Sequence, residues 1–357
     1  MRTIEFHNRE NEMKEIRAIL DSRPTLITFI YGPINSGKTE LIGHMTSEMP
    51  DEYVVFYINL RTKFLASYDE FIESLFEMEM ESEETKKKRK ETLAELVSSV
   101  TKVAGIPITR EFLDYVFKDK KPKNAFSYII KLFEEVKASG KQPVLILDEL
   151  QKIGDVNVNG PLIYELFNFF IDLTKEKHLA HVFVATSDSL FIEQIYNEAM
   201  LQGRCRYLLV DDFDEATTAA FLGGYGFTDD ETKAAWEYCG GKPVYLLELI
   251  RAGDRGREID RLLRMRAGEL KTFLKALKEL GDGITMKEER YDISYEIIVN
   301  VLKMFLDEEE IDMWSIDEIS KHYLVRNNIL FLDPDRGIIK PQSRLNLLAM
   351  REVMKNV

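Results

Sequence analysis

Cysteine is nearly absent from this chain. Among 357 residues only Cys205 and Cys239 occur, too few for a disulfide framework and without metal-ligand spacing. Both read as small core residues. Positive charge is in deficit too: 48 Lys and Arg stand against 62 Asp and Glu, a formal net charge of -14. The molecule as a whole is therefore a poor nonspecific binder of polyanions, and any nucleic-acid contact must come from a local patch. Long hydrophobic runs are missing. No stretch approaches the roughly 18 to 20 apolar residues of a membrane span, and the opening Met1-Arg2-Thr3-Ile4-Glu5-Phe6 has no apolar signal core. These absences lead to the expectation of a cytoplasmic protein with no membrane partner. The remainder is ordinary for a globular chain, with 45% hydrophobic residues and enough length for two or three cores. Abundant Glu and Lys beside few Cys and Gln suit a thermophile.

Against this background one stretch carries chemistry. Gly32-Pro33-Ile34-Asn35-Ser36-Gly37-Lys38-Thr39 matches the phosphate-binding pattern G-x-x-x-x-G-K-[ST]. The apolar run Leu26 to Tyr31 precedes it as a buried strand, and Lys38-Thr39-Glu40-Leu41-Ile42 opens a helix after it. Glycine lets successive N–H groups turn into one concavity, and the helix N-terminus adds partial positive charge for a phosphate. Gly32, Pro33, Asn35, Ser36, Gly37, Lys38, Thr39 and Glu40 are thus the nucleotide-binding candidates. Lys38 is assigned to the β and γ phosphates and the Thr39 hydroxyl to Mg²⁺.

Asn8 can cap a helix whose stripe is Met13, Ile16, Ile19 and Leu20. Strands follow at Tyr53 to Ile58, Val144 to Leu147, Val182 to Ala185 and Tyr207 to Val210, alternating with helices at Ala125 to Ala138 and from Pro161 to Lys175. That alternation implies right-handed crossovers and a mainly parallel, two-sided sheet. Residues 61–122 read as a helical insertion, whose charge run Glu83 to Lys90 reads as a solvated helix face. From Phe213 the strands stop and short helices take over, broken at Gly223-Gly224, Gly226 and Gly240-Gly241. A long helix runs from Arg255 to Leu280. Further helices are expected at Tyr295 to Phe305 and from Ser315, where Ser315 and Glu318 form a capping box. The runs Ile329 to Leu332 and Ile338-Ile339 then suggest a hairpin with the five-residue loop Asp333 to Gly337. Three domains are expected: an α/β domain over 1–211, a helical lid over 212–263 and a winged-helix-like domain over 264–357.

Asp148 and Glu149 end a strand expected to be buried on both faces, where ligands of open parallel sheets bind. Adjacent acids are costly there unless they act. Asp148 suits holding Mg²⁺ through water opposite Thr39, and Glu149 suits polarising the water that attacks a γ phosphate.

The loop, the LILDEL of Leu145 to Leu150 and the opening Phe6-His7-Asn8-Arg9-Glu10 together resemble the archaeal ATPase family, in the AAA+ and signal-transduction ATPase branch of the P-loop NTPases. The resemblance covers nearly the whole chain, including Gly203-Arg204 and the Gly-Gly-Lys-Pro of Gly240 to Pro243. It implies ATP and ADP as ligands, with Mg²⁺. It also implies that the strand ending at Thr186 and Ser187 lies between the phosphate-loop and Asp-Glu strands, so that Thr186 or Ser187 orients the attacking water. Phe6 and Arg9 would sit near the adenine, and Pro243 would pack on the base, although it also suits the first turn of a helix. Arg204 and Arg206 match the position of a γ-phosphate arginine, often supplied to a neighbouring subunit, which makes a homo-oligomer part of the expectation; an exposed basic residue is the other reading of either. The usual second lid arginine has no match, because Lys242-Pro243 occupies its place. That departure favours a slow nucleotide switch over fast ring-type hydrolysis.

Residues 264–357 hold 15 Lys and Arg against 17 Asp and Glu, a net of -2, whereas DNA-binding domains are typically strongly basic. An unidentified protein partner is therefore preferred to DNA, with Lys321, His322, Arg326, Arg336 and Lys340 as the one local stripe that DNA could use. The reading is a Mg-dependent ATPase that switches conformation. Its rivals are an ATP-loaded, DNA-binding regulator resembling replication initiators, with incidental turnover, and a scaffold that keeps its nucleotide.

Overall fold

The computed structural model describes all residues except 1–5, 8, 62, 64, 66, 77–91, 100, 113–114, 117–121, 154–161, 198, 287–288 and 356. They form two compact units. One comprises Met1–Ile30, Lys38–Thr186 and Glu198–Leu208, the other Tyr31–Gly37, Ser187–Asn197 and Leu209–Val357. Residues 209–357 thus pack as one body with the loop 31–37, a different division from the three spans expected.

In the first unit, helix α1 (Glu10–Leu20) buries Met13, Ile16, Ile19 and Leu20, as their spacing requires. Its N-cap is Arg9, without a side-chain cap bond; the expected cap Asn8 lies outside the described residues. Strand β1 (Ile27–Tyr31) is buried along its whole length, and α2 (Lys38–Glu48) follows the phosphate loop. Next come β2 (Tyr53–Asn59), α3 (Tyr68–Phe76), α4 (Leu93–Ser99), β3 (Lys102–Ala104), α5 (Pro122–Ala138) and β4 (Gln142–Asp148). Helix α6 (Leu162–Ile171) runs on into a π turn at Asp172–Glu176, and β5 is His181–Ala185. Helix α7 (Ser189–Asn197), which belongs to the second unit, precedes β6 (Cys205–Leu209) of the first. The expected start of α6 at Pro161 lies outside the described residues.

The six strands run in the order β3-β2-β4-β5-β1-β6. β5 lies between β1 and β4, as the resemblance implies, and pairs with both in parallel. Phe29, Phe56, Phe133 and Phe183 are fully buried against this sheet, and strands covered on both faces account for the unbroken apolar runs in the sequence. The span 61–122 is not wholly helical. Lys102–Ala104 adds a parallel edge strand to β2, with Val55 opposite Lys102. Three residues that are mostly exposed carry no apolar run from which to read a strand. The charge run Glu83 to Lys90 lies outside the described residues.

The second unit continues with α8 (Glu215–Gly223), α9 (Asp229–Cys239), α10 (Pro243–Arg251) and α11 (Arg255–Leu280). Asp214, the box of Thr228 with Glu231, and Asp254 cap α8, α9 and α11. At Gly281 the chain turns, with φ +69°, into a hairpin of β7 (Gly283–Met286) and β8 (Glu289–Asp292) that the sequence reading lacked. Helix α12 (Tyr295–Lys303), the short β9 (Ile311–Asp312), α13 (Glu318–Arg326), β10 (Leu330–Asp333), β11 (Ile338–Pro341) and α14 (Arg344–Met354) complete the chain. The last helix was also not anticipated. The sheet order is β10-β11-β9, and Leu274, Ile298, Leu302, Phe305, Leu324 and Leu332 centre the core.

Two local details differ from the sequence reading. Asp317, not Ser315, caps α13, accepting from the Ser320 amide; the Ser315 hydroxyl instead donates to the Asp312 carbonyl. Asp333 pairs with Ile338, which leaves a loop of Pro334 to Gly337. Cys239 is buried and Cys205 half-buried, and burial pushes both thiols up to about 12, as befits inert core residues.

Candidate functional site

The phosphate loop starts where β1 ends. Val210 donates its N–H to the Tyr31 carbonyl at 2.7 Å, and this close approach dictates the next residue. A Cβ on Gly32 would stand 2.1 Å from the Val210 oxygen, so only glycine fits. Further along, Asn35 holds φ +60° and Gly37 φ +95°. A non-glycine residue there costs about 1 kcal/mol or more, and such strain gathers at ligand sites. The loop then feeds α2, whose first residues are Lys38 and Thr39.

In the first unit, Lys38, Asp148, Glu149 and Thr186 are all buried. The Thr39 hydroxyl donates to Asp148 Oδ2 at 3.2 Å, and the Tyr57 hydroxyl donates to the same oxygen at 3.1 Å. Burial and the neighbouring Glu149 charge raise the Asp148 pKa, and the Tyr57 and Thr39 bonds only partly oppose them. Glu149 behaves oppositely. Burial pushes it up, but hydrogen bonds from Arg61 and Gln151 and the charges of Arg61 and Lys38 outweigh that and leave its pKa low. Arg61 Nη2 reaches Glu149 Oε1 at 2.6 Å. Gln151 Nε2 donates to Glu149 Oε2, while its Oε1 accepts from the Thr186 hydroxyl at 2.7 Å. Glu149 itself is strained, at φ +64°. Adjacent acids with opposed shifts are the environment in which two carboxylates take different roles.

Not every expected residue joins this cluster. Glu40 is exposed on the first turn of α2. The Phe6 ring stacks on His44 of α2 with centroids 3.9 Å apart, and the buried Arg9 pairs with Glu12 at 2.7 Å. Pro33 and Ser36 are buried in the loop, and Ser187 follows Thr186 half-buried. Pro243 occupies the first turn of α10. Arg204 immediately precedes β6. Its carbonyl accepts from Ile27 N–H, at the start of β1, about 13 Å along the strand from Tyr31; its guanidinium donates to the Met200 carbonyl at 3.1 Å. Arg206 lies on β6 itself. Three of the five residues of the basic stripe are paired with acids. Lys321 is buried against Glu193 at 2.6 Å and Glu318 at 2.9 Å, Arg336 pairs with Glu310 at 3.0 Å, and Lys340 pairs with Asp211.

Sequence reasoning missed Tyr57, Arg61 and Gln151 beside the acids, and Lys242 and Gln342 beside the loop. Lys242 Nζ donates to the Ile34 carbonyl at 2.9 Å, and Gln342 Oε1 accepts from the Ile34 N–H at 3.1 Å. Arg61 and Gln151 had a faint signal as the first cation past β2 and the first amide past Glu149. The other three contact partners remote in sequence.

A glycine-led loop closing a buried strand, a lysine and a threonine opening the next helix, and an acid pair two strands away define a P-loop nucleotide-binding protein. Residues 6–249 match the family model described as an ATPase domain predominantly from Archaea, and residues 257–354 match the MJ1010-like ATP-binding protein C-terminal domain. The chain belongs to this archaeal ATPase family and is an ATP-binding member of it. An uncharacterized ATP-binding protein of Pyrococcus abyssi is 48% identical over 351 residues, covering 98% of this chain and 99% of the relative. One from Methanocaldococcus jannaschii is 44% identical, covering 99% of each. Among solved structures, a Walker-type ATPase of Pyrococcus abyssi superposes with a TM-score of 0.64 at 18% identity, covering 97% of this chain and 96% of that one. It shares the fold.

Proposed function

We propose that this protein binds Mg-ATP through residues 32–39 and hydrolyses it slowly, as a switch for a protein partner. The observation that carries the reading is the divided acid pair, with Asp148 tied to the Thr39 hydroxyl and Glu149 held low beside Lys38. Lys38 would face the β and γ phosphates. A hydroxyl and a carboxylate oxygen 3.2 Å apart are hard donors that suit Mg²⁺, which takes few protein ligands and keeps several waters. Thr39 and, through water, Asp148 would hold the ion, which would supply positive charge against the phosphates. Glu149, ionised at neutral pH, would accept the proton of the water that attacks the γ phosphorus, giving ADP and phosphate. Thr186, linked to Glu149 through Gln151, would orient that water. Phe6, Arg9 and Pro243 are proposed to flank the adenine.

The slowness follows from Arg61. A carboxylate whose lone pairs are engaged by Arg61 and Gln151 is a weak base until those partners withdraw. A protein partner is favoured because three of the five residues of the basic stripe that DNA would need, Lys321, Arg336 and Lys340, are paired with Glu193, Glu318, Glu310 and Asp211. Arg204 or Arg206 is proposed to serve the site of a second copy, which would make the working form a homo-oligomer; an exposed basic residue is the other reading of either. No helix of the described residues is long and apolar enough to cross a membrane.

Turnover measured across Mg²⁺ concentrations tests the reading. Asp148→Asn should raise the Mg²⁺ needed for half-maximal rate by about tenfold or more. A parent protein with no Mg-dependent turnover would overturn it.

A further inference from the structure

The phosphate loop packs with the C-terminal part of the chain. Tyr31–Gly37 belongs to the same compact unit as Leu209–Val357, and specific bonds fasten it there. The Tyr31 hydroxyl donates to Asp333 Oδ1 at 2.7 Å in a buried bond, and its ring stacks toward Phe331. Three residues on, both faces of Ile34 are taken. Its N–H donates to Gln342 Oε1 at 3.1 Å, and its carbonyl accepts from Lys242 Nζ at 2.9 Å.

Each of these side chains is itself held. Gln342 Nε2 donates to the Leu330 carbonyl at 2.9 Å, so the amide bridges β10 and the loop. Lys242 is buried and paired with Asp212 at 2.9 Å. Its aim is fixed by the preceding residue, since a Cβ on Gly241 would stand 1.8 Å from the Phe213 carbonyl oxygen. A buried ammonium with one acid and one carbonyl is costly to arrange and is retained for what it positions. Immediately after Ile34, Asn35 sits at φ +60°, in the left-handed region that side chains other than asparagine and aspartate rarely adopt.

We propose that Lys242 and Gln342 are positioning residues that clamp the Ile34 peptide and keep the strained phosphate loop ready for a triphosphate. The hairpin β10-β11 is thereby coupled to nucleotide occupancy. The proposal rests on the assignment of residues 32–39 to Mg-ATP. Coupling of this kind is reciprocal: whatever moves the hairpin changes nucleotide affinity, and bound nucleotide stabilises the hairpin by the same factor. A preorganised loop binds more tightly because its ordering cost is met before the ligand arrives.

The test compares Gln342→Leu, which removes the acceptor, with Gln342→Glu, which keeps an oxygen for Ile34. Amide hydrogen exchange at Ile34 reads the clamp in the ligand-free protein, and equilibrium titration with Mg-ATP reads its consequence. Gln342→Leu should deprotect Ile34 while the amides of β1 stay protected, and should weaken Mg-ATP binding about tenfold, the loss of one hydrogen bond and the order it imposes. Gln342→Glu should restore most of that affinity, which a general packing defect would not allow. Unchanged exchange at Ile34 in Gln342→Leu would overturn the clamp, and parent-like affinity with Ile34 deprotected would overturn the coupling. Lys38→Ala separates the two readings: if it bound Mg-ATP as the parent does, the nucleotide assignment would fail, while the exchange data would still decide the clamp.

Discussion

The two units treat buried charge in opposite ways. In the first, Asp148 and Glu149 stand side by side at the C-terminal end of a central strand, one pushed up by burial and by its neighbour, the other drawn down by Arg61, Gln151 and Lys38. In the second, buried cations meet acids, Lys321 with Glu193 and Glu318 and Lys242 with Asp212. Like charges held together in a poorly solvated place are a standing cost that a bound cation relieves. Opposite charges held together close on themselves and fix geometry. The difference separates residues kept for a ligand from residues kept for the architecture around it, and it decides which lysine does which task.

Lys38→Ala gives the largest contrast. It should abolish tight Mg-ATP binding, measured by titration, because it removes the charge assigned to the phosphates; the melting temperature of the ligand-free protein should fall only slightly. Affinity left intact would break the comparison at its first term. Lys321→Met sharpens the second term. Stranding Glu193 in the interior should cost about 3 to 5 kcal/mol in denaturant unfolding, with Mg-ATP affinity unchanged per folded molecule. Lys321→Met with Glu193→Leu should recover most of that loss, since an apolar pair can replace a buried ion pair.

A smaller effect comes from a buried histidine. Burial, with smaller contributions from the charges of Lys137 and Arg206, lowers the His181 pKa to about 4. A depressed histidine pKa means that the folded state excludes the proton which the unfolded chain accepts near 6.5. Its stability is present above pH 6.5 and is lost as pH falls towards 4, about 2 kcal/mol by pH 5. His181→Phe should flatten unfolding stability over that window. The last contrast concerns Arg204, whose removal should spare nucleotide affinity. Arg204→Ala should leave Mg-ATP affinity unchanged, and mixing it with Lys38→Ala protein should restore turnover if the arginine serves a second copy. Turnover that is flat on dilution and unaffected by Arg204→Ala would describe a self-contained monomer.

Much of the first unit was legible because its signals are local. Gly32 to Thr39 is a contiguous motif, the stripe of α1 repeats at helical spacing, and β4 is an unbroken apolar run ending in acids. β3 was illegible because three mostly exposed residues become a strand only by pairing with Val55 to Tyr57. In the second unit most of the helices were readable from glycines, but the last helix, the cap of α13 and the charges were not. Lys321 looks like a surface cation in sequence and is buried in the fold, since its partner Glu193 lies 128 residues away. Gln342 meets Ile34 across 308 residues, and no periodicity encodes such a pairing. The loop could be found from sequence, whereas the side chains that hold it could not.

The central claim is that Glu149 acts while Asp148 holds, and single-turnover hydrolysis of Mg-ATP by Glu149→Gln tests it most directly. The amide keeps the shape but cannot accept the proton of the attacking water. The account predicts Mg-ATP affinity near that of the parent with the hydrolysis step slowed by about 10² or more. A hydrolysis rate equal to the parent's would contradict it.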